Sequence, residues 1–249
     1  MRKIMLVIAA CILAGGAYCS PVRTNVGGRQ SCLVSISGRG YTAADYVQDG
    51  LLVMWDSIEN IGHGKHEIDS KKWIDLSGHG YDLDIADGTE WADNYFDTMG
   101  IRTAAYSTFP LIKDNVPMTI ECVFDASLSS GYGAVLTIFN NSYCQWVGIR
   151  ANDSVNFRNN GAFFFADRTK PIAASYTASA VDDFALYYNG SYQIDGSPGL
   201  NGIGIGSYMR IAYNSPLRLK IYCVRAYLRV LSEEEIAYNY MIDKERFDL

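Results

Sequence analysis

The sequence predicts an all-β protein, a two-sheet antiparallel jelly-roll sandwich with one short C-terminal helix. Short β-branched or aromatic runs recur along the chain, with Asn-Gly and similar turn dipeptides between them. Only the final segment combines helical composition with a helix start signal. A length of 249 residues, 49% of them apolar and 13% aromatic, suits one sizeable β domain and its attachments rather than two full domains.

The first nineteen residues read as a secretory signal: Arg2 and Lys3 precede the apolar run Ile4 to Ala14, and Gly15, Gly16 and Ala17 follow. Cleavage is expected near Cys19. Ile8-Ala9-Ala10 before Cys11 resembles a lipoprotein processing site, but it lies too close to Lys3, so lipid anchoring is the minority alternative. The apolar run is too short to span a membrane, and no later stretch reaches the roughly 18 unbroken apolar residues that spanning needs. The mature protein is therefore expected to be secreted, periplasmic or held at the cell surface. Residues 20–45, rich in Gly, Ser, Asn and Arg, read as a linker or poorly ordered arm, and the domain is expected over 46–249.

In that domain, Leu51 to Asp56 alternates as a first buried strand. Ser57 to His66 is polar and glycine-rich and reads as a long loop. In Trp73 to Leu83, Gly78 and Gly80 supply the turn between two short strands. Met118–Phe124, Ala134–Phe139, Trp146–Arg150, Phe184–Tyr188 and Tyr208–Tyr213 are strand-like runs. Tyr187-Tyr-Asn-Gly-Ser-Tyr192 is a hairpin, because Asn-Gly favours the turn whose twist matches paired strands. Lys220 to Val230 predicts a half-buried strand, with Val224, Ala226, Leu228 and Val230 inward and Arg225, Tyr227 and Arg229 outward. Ser232, three residues ahead of Glu235, forms a capping box that starts the terminal helix.

The closing string from Val224 through Leu-Ser-Glu-Glu-Glu-Ile236 to Phe247 resembles the end of laminin-G-like, concanavalin A-type jelly rolls of bacterial surface and secreted proteins. Asp56-Ser-Ile-Glu-Asn60 and Trp73-x-Asp-Leu-Ser-Gly-x-Gly-x-Asp82 are similar to the opening of that family. The resemblance spans Tyr46 to Phe247 and weakens in the middle. It implies that the first and last strands are neighbours, and that the helix packs on a sheet edge through Ile236 and Tyr240. It also makes calcium possible at a loop rim, with Asp56, Asp75 and Asp82 as oxygen donors. Acceptance of hydrogen bonds from turn backbones is the preferred reading of Asp75 and Asp82.

Catalytic signatures are sparse. Glucanases of this fold carry Glu-Ile-Asp-x-x-Glu, whereas here Glu67-Ile68-Asp69 is followed by Ser70, Lys71 and Lys72, so the second glutamate is replaced by lysine. His63, His66 and His79 lie in glycine-rich loops without the further ligands that would complete a zinc set. Gly202-Ile-Gly-Ile-Gly206 lacks the spacing of a dinucleotide loop. Loss of the signal leaves 19 basic against 27 acidic residues, a balance that excludes nonspecific nucleic-acid binding. Cys32, Cys122, Cys144 and Cys223 remain, and both disulfides and buried free thiols stay open. The Asn-x-Ser sequons at Asn140, Asn152 and Asn189 coincide with turn signals.

Sugar recognition needs flat aromatic faces beside hydrogen-bonding groups. Trp91, Tyr95, Tyr132, Tyr143 and Trp146 have such company and are the candidate ligand-binding residues. The expected function is that of an exported, non-catalytic recognition module for a glycan or cell-surface polysaccharide. A structural or adhesive protein that binds other surface proteins is the alternative, and a glycoside hydrolase is a weaker one.

Overall fold

The computed structural model describes residues 40–107, 113–114, 116–128, 131–139, 144–149, 152–157, 163–179, 184–196, 204–205, 208–213 and 217–249. The expected signal and nearly all of the expected arm lie outside these residues. Tyr41–Leu249 form one compact unit. A 3-10 turn at Ala43–Asp45 opens it, and the buried Ala43 amide donates to Glu59 Oε1 at 2.7 Å.

The strands are β1 (Leu51–Asp56), β2 (Lys72–Trp73), β3 (Leu83–Ile85), β4 (Glu90–Trp91), β5 (Phe96–Asp97), β6 (Ala105–Ser107), β7 (Lys113–Asp114), β8 (Met118–Asp125) and β9 (Gly133–Phe139). They continue as β10 (Cys144–Ile149), β11 (Ser154–Phe157), β12 (Phe163–Phe165), β13 (Ile172–Ala178), β14 (Phe184–Tyr188), β15 (Ser191–Gly196), β16 (Gly204–Ile205), β17 (Tyr208–Ile211) and β18 (Lys220–Tyr227). One helix, α1 (Glu233–Phe247), closes the chain. No helix among the described residues is long and apolar enough to cross a membrane.

Two antiparallel eight-stranded sheets form a sandwich. Sheet I runs β15-β14-β13-β8-β18-β5-β4, with β1 also paired to β18. Sheet II runs β12-β11-β10-β9-β17-β6-β3-β2, and β7 pairs with β16 apart from both. The first and last strands are neighbours, as the resemblance implied, with Trp55 opposite Val224 and Asp56 opposite Cys223. Alternation then sorts the side chains. Val53, Trp55, Met118, Ile120, Phe124, Val224 and Ala226 of sheet I meet Leu83, Val135, Leu136, Ile138, Val147, Met209 and Ile211 of sheet II in one buried core.

The other face of sheet I is not solvated, and this corrects the expectation for β18. Arg225 is 1% exposed and Tyr227 0%, because α1 lies across the sheet face instead of along an edge. The Asn239 and Asp243 side chains of α1 reach the central strands β8 and β18. Ile236 is buried as expected, while half-buried Tyr240 covers the Asn189-Gly190 turn. That turn has φ of +49° and +72°, the left-handed pair that Asn-Gly adopts readily. β18 also stops at Tyr227, and Val230 is 41% exposed.

Candidate functional site

The buried charges beneath α1 form one self-contained network. Arg225 donates two hydrogen bonds to Asp243, both 2.7 Å, and a third to Glu121 Oε2 at 2.8 Å. Asn239 Nδ2 donates to Glu121 Oε2 and Tyr46 Oη to Asp243 Oδ1. Arg246 bridges Asp56 and Glu59. Burial pushes the Glu121 and Asp56 carboxyls up, although Arg225 and Arg246 pull them back. Such groups attract attention as catalytic candidates, yet their carboxylates are all held by protein partners that tie α1 to the sheet, and Arg246 Nε is the one polar atom of the network without a hydrogen-bond partner among the described residues.

The potential calcium donors are similarly engaged. Asp56 receives Arg246, and its Oδ1 accepts from the Ile58 and Glu59 amides. Asp75 accepts from the Met54, Ser77 and Tyr81 amides and from the Ser77 hydroxyl. Asp82 accepts from the Asp75 amide. Glu67 lies in the exposed loop before β2. No group of three or more metal-ligating side chains occurs among the described residues.

The outward face of sheet II differs. Register places Lys72 opposite Asp84, Asp84 opposite Tyr106, Tyr106 opposite Arg210, Arg210 opposite Thr137 and Thr137 opposite Trp146. These positions form one cross-strand row, with directly opposite Cβ atoms about 5 Å apart. The flanking residues Trp73, Leu83, Ala105, Met209, Leu136 and Ile138 point into the core, so Tyr106, Arg210 and Thr137 face away from it. Tyr106 is 39% exposed and Tyr208, on the same face of β17 as Arg210, 41%. The Arg210 guanidinium lies 4.8 Å from the centre of the Tyr213 ring.

Beyond Thr137 the row's neighbours are small. Gly148 stands opposite Ala134 on one side and Asn156 on the other. Thr137 and Asn156 are buried, yet Thr137 Oγ1 and Asn156 Oδ1 have no hydrogen-bond partner among the described residues. A buried polar atom left unpaired costs about 1 to 3 kcal/mol, and a fold that keeps two on one face has a reason to do so. Two exposed tyrosine rings and an arginine, with the Thr137 hydroxyl at the next position of the row and Asn156 two strands further along the same face, can hold a polyhydroxylated ligand with a flat apolar face.

The sequence-derived aromatics are dispersed. Trp91 is in the core, where its ring meets Trp73 and Phe96 at 5.0 and 4.8 Å and its Nε1 donates to the Ser70 carbonyl. Tyr95 is half-buried on sheet I, with Lys220 Nζ 4.8 Å from its ring centre. Tyr132 is 74% exposed just before β9, away from the row. Tyr143 lies outside the described residues. Trp146 alone takes a place in the row, at the position opposite Thr137, and its side chain lies outside the described part. Tyr106, Arg210, Thr137 and Asn156 are not among the aromatics that the sequence singled out. Tyr208-Met-Arg-Ile and Ala134-Val-Leu-Thr-Ile alternate clearly, so Arg210 and Thr137 can be placed on outward faces from sequence, but nothing local says that the two are adjacent.

No family model matches the chain, and no curated protein does. Solved structures do. A sialidase from Trypanosoma rangeli is 14% identical with a TM-score of 0.59, over 78% of this chain and 33% of that one. The botulinum neurotoxin serotype D binding domain is 12% identical with a TM-score of 0.60, over 78% and 51%. The binding domain of Paraclostridial Mosquitocidal Protein 1 is 14% identical with a TM-score of 0.58, over 78% and 52%. The chain thus spans about a third of the sialidase and half of the toxin domains. At such identities the likeness is one of fold, a sandwich-type β architecture.

Proposed function

We propose that this chain is an exported, non-catalytic module of the laminin-G-like branch that binds glycans on the outward face of sheet II. The observation that carries the reading is the pair of buried oxygens, Thr137 Oγ1 and Asn156 Oδ1, that have no hydrogen-bond partner among the described residues and lie on the face that also presents Tyr106, Tyr208 and Arg210. Hydroxyl-rich ligands supply the missing donors, and tyrosine rings cover the apolar face of a sugar. Support by analogy of fold comes from the neurotoxin serotype D domain, which has been solved with N-acetylneuraminic acid. Fold alone does not confer function, so the face itself must be tested.

Screening the protein against a glycan array, beside a Tyr106→Ala, Tyr208→Ala double variant, tests it. Binding by the parent and at least a tenfold loss in the folded variant are expected. A second reading, contact with other surface proteins, draws on β15, an edge strand that exposes Tyr192 and Ile194. Binding of surface proteins that ignores Tyr106 and fails on Ile194→Asp would favour it.

A further inference from the structure

We propose that the ligand of sheet II is an extended chain of several β-1,4-linked pyranose units lying across the strands, and that a single terminal sugar is too short for the site. This rests on the glycan reading above and narrows it to a class of saccharide. The groups that carry that reading sit on different strands: Tyr106 on β6, Tyr208 on β17, Thr137 on β9 and Asn156 on β11. In sheet II these strands follow the order β11-β10-β9-β17-β6. The inter-strand spacing of about 4.8 Å, taken once for each neighbouring pair in that order, separates Tyr106 from Asn156 by roughly 19 Å. Sheet I has no matching face over its central strands, because Asn239 and Asp243 of α1 reach down to β8 and β18 there.

The two acceptor oxygens are themselves far apart. Thr137 stands opposite Trp146, whereas Asn156 stands opposite Gly148, further along β10 on the same face. Crossing from β9 to β11 while moving from Trp146 to Gly148 gives a diagonal of roughly 12 Å, more than the hydroxyls of one pyranose ring can bridge. Neither oxygen has a hydrogen-bond partner among the described residues, so a ligand that meets both must carry its donors on different sugar units. Toward β6 the face changes character: Tyr106 and Tyr208 are 39% and 41% exposed and offer rings to stack on. A β-1,4-linked chain matches this order of acceptors and rings. Its backbone runs straight, its hydroxyls line the edges, and its apolar C–H faces lie flat, whereas an α-linked chain curls away from a sheet.

The experiment titrates the full chain with glucose, mannose and N-acetylglucosamine and with the β-1,4-linked di-, tetra- and hexasaccharide of each. In at least one series the tetrasaccharide should bind about tenfold or more tightly than the disaccharide, and the hexasaccharide should add less than about threefold, because the face has been filled. The Tyr106→Ala, Tyr208→Ala double variant, with a melting curve that matches the parent, should lose most of the gain between disaccharide and tetrasaccharide. Tyr106→Phe should keep it, since the ring supplies the contact, and this milder change reads the site even where the double variant does not fold. A monosaccharide that binds within about threefold of the longest ligand, or a dependence on length that the folded double variant leaves in place, overturns this proposal and leaves glycan binding intact. Array binding by the parent with no binding in any of the three series does the same. No glycan binding by the parent, on the array or in titration, overturns both.

Discussion

At single residues, two kinds of buried polarity have opposite consequences. Thr137 Oγ1 has no partner among the described residues, so Thr137→Val removes a desolvation cost and should raise stability by about 1 kcal/mol in denaturant titration while weakening glycan binding. A variant that is neither more stable nor impaired in binding would remove Thr137 from the site. Arg225 is the reverse case, since it neutralises both Glu121 and Asp243. Arg225→Met leaves two buried carboxylates without a cation and should cost about 3 to 5 kcal/mol by the same titration. Sequence marked Arg225 as a solvent-facing residue because a charge in an alternating strand usually is one. It marked Trp91 as a ligand platform because a tryptophan near Asp and Asn looks the same from sequence whether its ring is open or covered.

Among elements, α1 was legible in detail. The Ser232 Oγ accepts from the Glu235 amide and the Glu235 carboxylate accepts from the Ser232 amide, as the spacing predicts. Ser232→Ala should cost about 1 kcal/mol. Glu235 is also held below its ordinary value of 4.5, first by Arg229 and then by the Ser232 amide. A depressed acid stabilises the native state above its unfolded value and loses that contribution as pH falls through the folded one. The stability gap between the parent and Glu235→Gln should therefore shrink as the titration is taken below pH 4.5. Glu121 and Asp56, raised by burial, slope the other way: their contribution is present below their ordinary values and fades as pH rises through the folded ones. The strand β13 was not anticipated. Ile172-Ala-Ala-Ser-Tyr-Thr-Ala178 is buried on both faces between β8 and β14, and small residues there leave room for α1 while erasing the alternation that announces a strand.

For the whole molecule, the expected two-sheet sandwich is present, and Cys122 and Cys223 are both free. They lie on opposite sides of sheet I, one in the sandwich core and one under α1, so the two thiols do not meet. A non-catalytic module should release no reducing sugar from β-glucans. Release that is abolished by Glu67→Gln would overturn that reading and revive the hydrolase alternative.

Local order was enough to specify most strand runs, the Asn-Gly hairpin and the helix start, because turn chemistry, capping and alternation act over a few residues, while the pairing of the two chain ends came from the family resemblance. Which strands lie side by side was left to the three-dimensional fold. Lys72, Asp84, Tyr106, Arg210, Thr137 and Trp146 come from six strands spread over 139 residues and become one row only when register aligns them. Long-range pairing likewise decided that a helix covers Arg225, since a strand's own alternation says which residues share a face and never what lies on it.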